Sequence, residues 1–172
     1  YGHAPADVRR WLADAGLQVT SAHLGLQEPE EQRRTLDELV QVGVDTWVIP
    51  SAPAERFATR DDIVALAEDL RGRAAVAASL GLRTGYHNHW WELEASLDGE
   101  PALVALFEAL GSAVFAEIDT YWAQVGGMNP VQLITRLGAR VELLHVKDGP
   151  ANDPAAPHVA LGTGAMDIPA LL

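Results

Sequence analysis

The sequence contains no cysteine, which excludes both a disulfide framework and a thiolate metal site. It also contains no apolar run that approaches the length of a membrane span. Basic residues are few: 12 lysines and arginines stand against 24 aspartates and glutamates, a net charge of −12. Nucleic acids and anionic membranes bind basic surfaces, so neither is an expected partner. A small phosphate-bearing substrate stays compatible with this charge, because it needs only one or two local cations.

A glycine-rich phosphate-binding fingerprint is also missing after every predicted strand, which disfavours a nucleotide-binding doubly wound fold. What the chain does show is a strict alternation of helix and strand patterns over 172 residues, enough for one sizeable core and one domain. Strict alternation predicts a parallel sheet, and a barrel is the better of the two candidate α/β folds. The predicted strands cover residues 17–24, 45–50, 83–92, 113–119 and 141–147, and the predicted helices 5–15, 28–42, 59–81, 101–111 and 129–138.

The predicted strand over 83–92 ends in two histidines and a carboxylate rather than in apolar residues. Because side chains alternate between the faces of a strand, His87 and His89 should point the same way, with Trp91 next in the row. Other predicted strands also end in polar clusters, which contain His23, Asp119 and His145. Functional side chains of a parallel sheet lie at the carboxyl ends of its strands, so we predict that these residues share one rim.

Three of the strand-end residues have side chains suited to binding a divalent metal ion. Glu92, Asp119 and His145 offer the oxygen and nitrogen ligands that Mn²⁺, Mg²⁺, Co²⁺ or Zn²⁺ accept. Taken singly, Asp119 would be a loop-capping aspartate and His145 a hydrogen-bonded core histidine. Their matching positions at three strand ends favour a shared metal site.

Four motifs occur in order along the chain: YHNHWWE at 86–92, EIDTYW at 117–122, LHVKD at 144–148, and LGTG at 161–164 followed by Asp167. Together they resemble the sugar phosphate isomerase/epimerase family of xylose isomerase-like TIM barrels, which is related to inosose dehydratases and ketose 3-epimerases. The resemblance implies a (β/α)8 barrel of which residues 1–172 hold strands three to seven, as one domain truncated at both ends. Strands one, two and eight would then lie outside this sequence.

The resemblance also implies metal ligands. Asp119 and His145 match ligands of the relatives, whereas the relatives' strand-five glutamate is replaced here by His87. Either His87 binds the metal itself or Glu92 reaches in from the loop, and Glu92 is slightly preferred. The last ligand of the family, a glutamate on strand eight, would come after the end of this sequence.

The remaining candidate residues are assigned to proton transfer and substrate binding. His89 is the preferred base with His87 second, and Lys147 would steady an oxyanion or a phosphate. Glu117 shares the strand face of Asp119, and a buried carboxylate there needs a partner, either Lys147 or a histidine. Four residues are candidates for substrate contact: His23, Trp91, Trp122 and His158.

These assignments predict a divalent-metal-dependent isomerase or epimerase that acts on a small sugar, keto-sugar or sugar phosphate through an enediolate. Two alternatives stay open: a dehydratase or lyase of the inosose dehydratase type, and a non-catalytic sugar-binding remnant. We expect a cytoplasmic protein whose partner is a small-molecule sugar. Strands three and seven would be open edges, so either a longer polypeptide completes the barrel or copies associate as a homo-oligomer.

Overall fold

The computed structural model describes residues 2–171 and is built around one curved parallel sheet. Five strands form this sheet in the order β1-β2-β3-β6-β7, and β4 and β5 form a separate antiparallel hairpin. The predicted parallel sheet with sequential strand order is thereby confirmed. The strands are β1 (Ser21–His23), β2 (Thr46–Ile49), β3 (Arg83–His87), β4 (Ser96–Leu97), β5 (Glu100–Pro101), β6 (Phe115–Asp119) and β7 (Val141–His145).

Eight α-helices of the described part connect and cover these strands. They are α1 (Pro5–Asp14), α2 (Pro29–Val42), α3 (Arg60–Ser79), α4 (Trp91–Glu94), α5 (Ala102–Leu110), α6 (Thr120–Val125), α7 (Pro130–Leu137) and α8 (Ile168–Leu171). Between residues 2 and 171, no helix combines the length and the apolarity that crossing a membrane requires.

Local capping signals set the starts of two of the predicted helices. Thr59 precedes α3, and its hydroxyl oxygen accepts a hydrogen bond from the backbone N–H of Asp62, as an N-cap residue does. Asn129 caps α7 in the same way through the N–H of Gln132, with Pro130 at the first helical position. These helix starts follow from short-range chemistry alone.

The main hydrophobic core lies between the sheet and the helices α3 and α5. Trp47 and Tyr86 project from β2 and β3 and are fully buried, and the ring of Tyr86 meets that of Phe107 on α5 edge to face at 6.3 Å. Leu66 and Leu70 bury the facing side of α3. The central strands β2, β3 and β6 are thus buried, whereas β1 and β7 at the edges of the sheet are partly exposed.

The sheet curls strongly, so that its first and last strands approach each other at one end. The ring centroids of His23 on β1 and His145 on β7 lie only 6.4 Å apart, although three other strands separate these two in the sheet. The architecture is therefore a partial TIM barrel of 172 residues, with its five strand ends around one opening.

The predicted strand over 83–92 is too long, because β3 ends at His87. The next side chain, Asn88, binds the neighbouring strand: its oxygen accepts from the N–H of Asp119 at 2.9 Å, and its amide donates to the carbonyl of Asp119 at 3.3 Å. The backbone then turns, and α4 begins at Trp91. The helices α4 and α6 and the β4–β5 hairpin were not predicted, and β1 begins four residues later than expected.

Candidate active site

The polar strand ends do converge at the opening of the sheet, as predicted. The ring of His87 at the end of β3 lies 5.2 Å from the ring of His23 and 5.1 Å from that of His145, measured between centroids. Asp119 ends β6 beside them, with its side chain fully buried. Four strands thus each contribute one side chain to one compact group.

The two carboxylate oxygens of Asp119 have different environments. Oδ1 accepts a hydrogen bond from the backbone N–H of Trp122 at 2.9 Å and so caps α6. Oδ2 faces the group instead: His87 Nε2 and His145 Nδ1 each lie 3.5 Å away, and Lys147 Nζ lies 2.7 Å away. The capping interpretation of Asp119 is therefore confirmed for one oxygen, while the other oxygen points into the opening.

The group formed by His87, Asp119 and His145 fits a divalent cation. Its ligand atoms lie within 4.8 Å of one another. Two ligands bound tetrahedrally to one ion at about 2.1 Å are separated by about 3.4 Å, close to the two 3.5 Å separations here. Moreover, Asp119 Oδ2 is buried and its negative charge faces the ammonium of Lys147, a cation that a bound ion would join or displace.

Glu117 lies one layer deeper on β6 and is paired with histidines. Its Oε1 accepts hydrogen bonds from His23 Nε2 at 2.7 Å and from His87 Nδ1 at 2.9 Å. Burial alone would raise the pKa of Glu117, but the two imidazoles outweigh it and lower that pKa to about 2. Of the two partners proposed from the sequence, the histidine is confirmed, because Lys147 pairs with Asp119.

Glu92 lies outside this group. It is fully buried in α4, where Oε1 accepts from the hydroxyl of Tyr86 at 3.0 Å and Oε2 from the backbone N–H of His89 at 2.9 Å. Burial raises the pKa of Glu92 to about 7 in spite of these hydrogen bonds. The preference for Glu92 over His87 as a ligand therefore needs correction: the turn after β3 directs Glu92 away, and His87 is the residue beside Asp119.

His89 is close to His87, but not because the two share a strand. The chain has left the sheet at this point, and the rings lie 5.3 Å apart across the turn. The imidazole of His89 stacks on Trp91, with centroids at 4.4 Å and planes 12° apart. Burial is the largest cause that lowers the pKa of His89 to about 4, with further contributions from its neighbours His87 and Lys147, so its ring is neutral at pH 7.

Aromatic side chains border one side of the group. Trp90 contacts both Trp91 and Trp122, with centroid separations of 4.8 and 4.9 Å, and we call these three indoles the aromatic wall. His158 extends the wall from the loop after β7, 5.5 Å from Trp122. His23, the remaining candidate for substrate contact, lies on the opposite side of His87. The indole N–H groups of Trp91 and Trp122 are buried and lack hydrogen-bond acceptors among residues 2–171.

A buried carboxylate, Asp148, joins the end of β7 to the Leu161-Gly-Thr-Gly164 loop. It accepts four backbone N–H groups, from Gly149, Gly162, Gly164 and Met166, at 2.8 to 3.1 Å. Burial acts to raise the pKa of Asp148, but these four donors keep it below its ordinary value. No structural role for Asp148 was predicted, although it occurs in the LHVKD motif. The ammonium of the adjacent residue, Lys147, lies 4.7 Å above the ring of Trp122.

A parallel half-barrel with polar side chains gathered at its carboxyl-terminal rim is the arrangement found in TIM barrels. The chain belongs to the xylose isomerase-like TIM barrel family, whose profile matches residues 1–172. The resemblance noted from the four motifs is thus confirmed. A search of curated proteins gave no match.

Several solved structures are similar to this chain. A sugar phosphate isomerase/epimerase from Parabacteroides distasonis ATCC 8503 is 27% identical, with a TM-score of 0.77 over 98% of this chain and 63% of that one. An IOLI protein with a bound zinc atom (14% identity, TM-score 0.74) is matched over 99% of this chain and 67% of that one. An L-ribulose 3-epimerase is 17% identical, with a TM-score of 0.69 over 96% of this chain and 60% of that one. The chain therefore spans less than two thirds of the Parabacteroides protein.

Proposed function

We propose that this chain carries the ion site and part of the sugar pocket of a divalent-metal-dependent isomerase or epimerase acting on a small sugar, keto-sugar or sugar phosphate. The observation that carries the proposal is the convergence of His87 and His145 on one buried carboxylate oxygen, Asp119 Oδ2, with all three ligand atoms within 4.8 Å of one another. The similarity to a sugar phosphate isomerase/epimerase at 27% identity supports the same class of substrate.

In this proposal His87, Asp119 and His145 would hold the ion, and Glu92 would not take part. When bound, a divalent ion polarises neighbouring oxygens of a hydroxy-ketone and so makes the adjacent C–H proton easier to remove. The donor set of two imidazoles and one carboxylate suits Zn²⁺, Mn²⁺ or Co²⁺ better than Mg²⁺, which prefers oxygen ligands.

His89 is the proposed base. Its ring is neutral at pH 7, so a ring nitrogen can accept the proton that leaves the sugar, and stacking on Trp91 fixes the orientation of the ring. His87 is less suited to this role, because both of its nitrogens face carboxylates.

Lys147 and the aromatic wall are the proposed substrate contacts. The ammonium of Lys147 lies between Asp119 and the face of Trp122, where it can bind the oxyanion of the enediolate or a phosphate oxygen. Trp91 and Trp122 offer an apolar surface on which one face of a sugar ring can stack. His158, beside Trp122, and His23, beside His87, are the remaining proposed substrate contacts.

The two alternatives share the same residues and differ in outcome. If a β-hydroxyl leaves after proton removal, the product has lost water and the protein is a dehydratase or lyase. If the chain only binds sugars, the α proton is never exchanged. Incubation with a panel of ketoses and ketose phosphates in D₂O, with Mn²⁺ or Zn²⁺ added, separates the three: isomerases and epimerases incorporate deuterium without loss of water, as mass spectrometry would report.

Asp119→Asn is the variant that tests the ion site. The amide oxygen can still accept from the N–H of Trp122 and cap α6, but the anionic ligand is lost. We expect unchanged folding by circular dichroism, loss of tight Zn²⁺ binding and loss of deuterium exchange. Asp153→Asn, at an exposed loop carboxylate, is the control. Full Zn²⁺ occupancy in Asp119→Asn would reject the site.

A further inference from the structure

The imidazole of His87 lies between two carboxylates, one at each ring nitrogen. Nδ1 is 2.9 Å from Glu117 Oε1, and Nε2 is 3.5 Å from Asp119 Oδ2. An ionised carboxylate only accepts hydrogen bonds, so the short contact with Glu117 requires a proton on Nδ1. In the neutral ring the lone pair then lies on Nε2, directed toward Asp119.

Two groups of side chains have the spacing to bind a metal ion, and His87 belongs to both. The first group is His23, His87 and Glu117, and the second is His87, Asp119 and His145. A neutral imidazole offers one lone pair and so binds one ion. The first group is already satisfied by two hydrogen bonds to Glu117 Oε1. In the second group no imidazole N–H holds Asp119 Oδ2: both ring nitrogens lie 3.5 Å from this oxygen, and its near neighbour is the ammonium of Lys147. We therefore treat His87, Asp119 and His145 as the ion site, and Glu117 and His23 as residues that support it.

We propose that Glu117 is a positioning residue that fixes His87 in its Nδ1–H tautomer and aims Nε2 at the ion. The inference rests on the ion site proposed above and adds to it the group that orients its buried histidine. His23 completes the arrangement, because its Nε2–H donates to the same Oε1 at 2.7 Å and so holds the carboxylate in place across 94 residues of sequence. Partners of this kind behind a metal-binding histidine are worth about 10–100-fold in metal affinity.

The first test needs no substitution at Glu117. Long-range ¹H–¹⁵N correlation spectra of the metal-free full chain report which nitrogen of each histidine carries the proton, and the His87 signals are those that disappear in His87→Ala. We expect a proton on Nδ1 of His87 in the neutral ring. A proton on Nε2 would overturn the proposal.

The second test measures Zn²⁺ affinity by competition with a chromophoric chelator. Glu117→Leu removes the acceptor, and we expect the tautomer of His87 to shift toward Nε2–H and Zn²⁺ binding to weaken about 10–100-fold. Glu117→Gln keeps an acceptor oxygen of the same reach, so the Nδ1–H tautomer and an intermediate affinity should be retained. Glu142→Gln, an exposed carboxylate on β7 that pairs with Arg83, is the matched control and should bind Zn²⁺ as the wild type does.

Two contrary outcomes have different meanings. If His87→Ala abolishes Zn²⁺ binding but Glu117→Leu leaves both the affinity and the tautomer unchanged, the ion site stands and the positioning role of Glu117 is refuted. If His87→Ala itself binds Zn²⁺ like the wild type, the proposed ion site is rejected, and the role of Glu117 with it.

Discussion

Glu92 is a buried carboxyl whose ionisation should make the stability of the fold depend on pH. It is fully buried, it accepts hydrogen bonds from the hydroxyl of Tyr86 and the backbone N–H of His89, and its pKa rises on folding from 4.5 to about 7. A raised pKa means that the folded state holds the proton more tightly than the unfolded state does. The resulting stabilisation is complete below pH 4.5 and is lost as the pH rises through 7.

The size of the effect follows from the two pKa values. A pKa that rises from 4.5 to about 7 corresponds to roughly 3 kcal/mol of folding free energy, present at pH 4.5 and absent above pH 8. Glu92→Gln replaces the carboxyl by a neutral amide of similar shape. The amide oxygen can accept from only one of the two present donors with full strength, so we expect a pH-independent cost of about 1 kcal/mol.

Urea unfolding of both proteins at pH 5, 6, 7 and 8.5 would measure this difference. The wild type should have the larger free energy of unfolding at pH 5. At pH 8.5 that of Glu92→Gln should equal or exceed it, so the two curves should cross between these pH values. Glu94→Gln, an exposed carboxylate of the same helix, should follow the wild type at every pH. A constant difference between wild type and Glu92→Gln would refute the reasoning. Retained Zn²⁺ binding in Glu92→Gln would also support the correction in favour of His87.

Two further predictions concern Lys147 and Gly164. Lys147→Met should strengthen Zn²⁺ binding by about tenfold or more in the absence of sugar, because the ammonium 2.7 Å from Asp119 Oδ2 competes with the ion for that charge; a weaker or equal affinity by chelator competition would contradict this. Gly164→Ala should lower the midpoint of thermal unfolding by roughly 5 °C, because a Cβ there would lie 2.2 Å from Asp148 Oδ1. Gly72→Ala, which adds a methyl in open space on α3, should not lower it, and equal losses in the two variants would exclude the close contact as the cause.

The parts of the fold that depend on local chemistry could be predicted from the sequence. The caps at Thr59 and Asn129, the order of the parallel strands and the polar rim all follow from patterns within a few residues or from the alternation of elements. The residues at the rim could also be predicted, because each polar cluster lies at the end of an apolar strand.

The parts that depend on distant residues could not be predicted. The end of β3 is set by Asn88, whose partner is the backbone of Asp119, 31 residues later. The choice between His87 and Glu92 depends on the turn that follows, which the alternation rule for strands does not describe. In the same way, the donors to Asp148 come from a loop up to 18 residues away, and a sequence pattern does not show which backbone N–H groups will point at it.

The hydrogen bond between His23 and Glu117 also has a consequence for folding. It joins residues 94 positions apart, and such contacts form only after a large loss of chain entropy. We therefore expect the rim of the opening to assemble late, after the local helices and neighbouring strand pairs. A ligand held there would bind the folded state alone and stabilise it by about 2.7 kcal/mol at a concentration one hundred times its dissociation constant. Unfolding rates measured with and without Zn²⁺ would then report whether the last step of folding and the first step of binding are coupled.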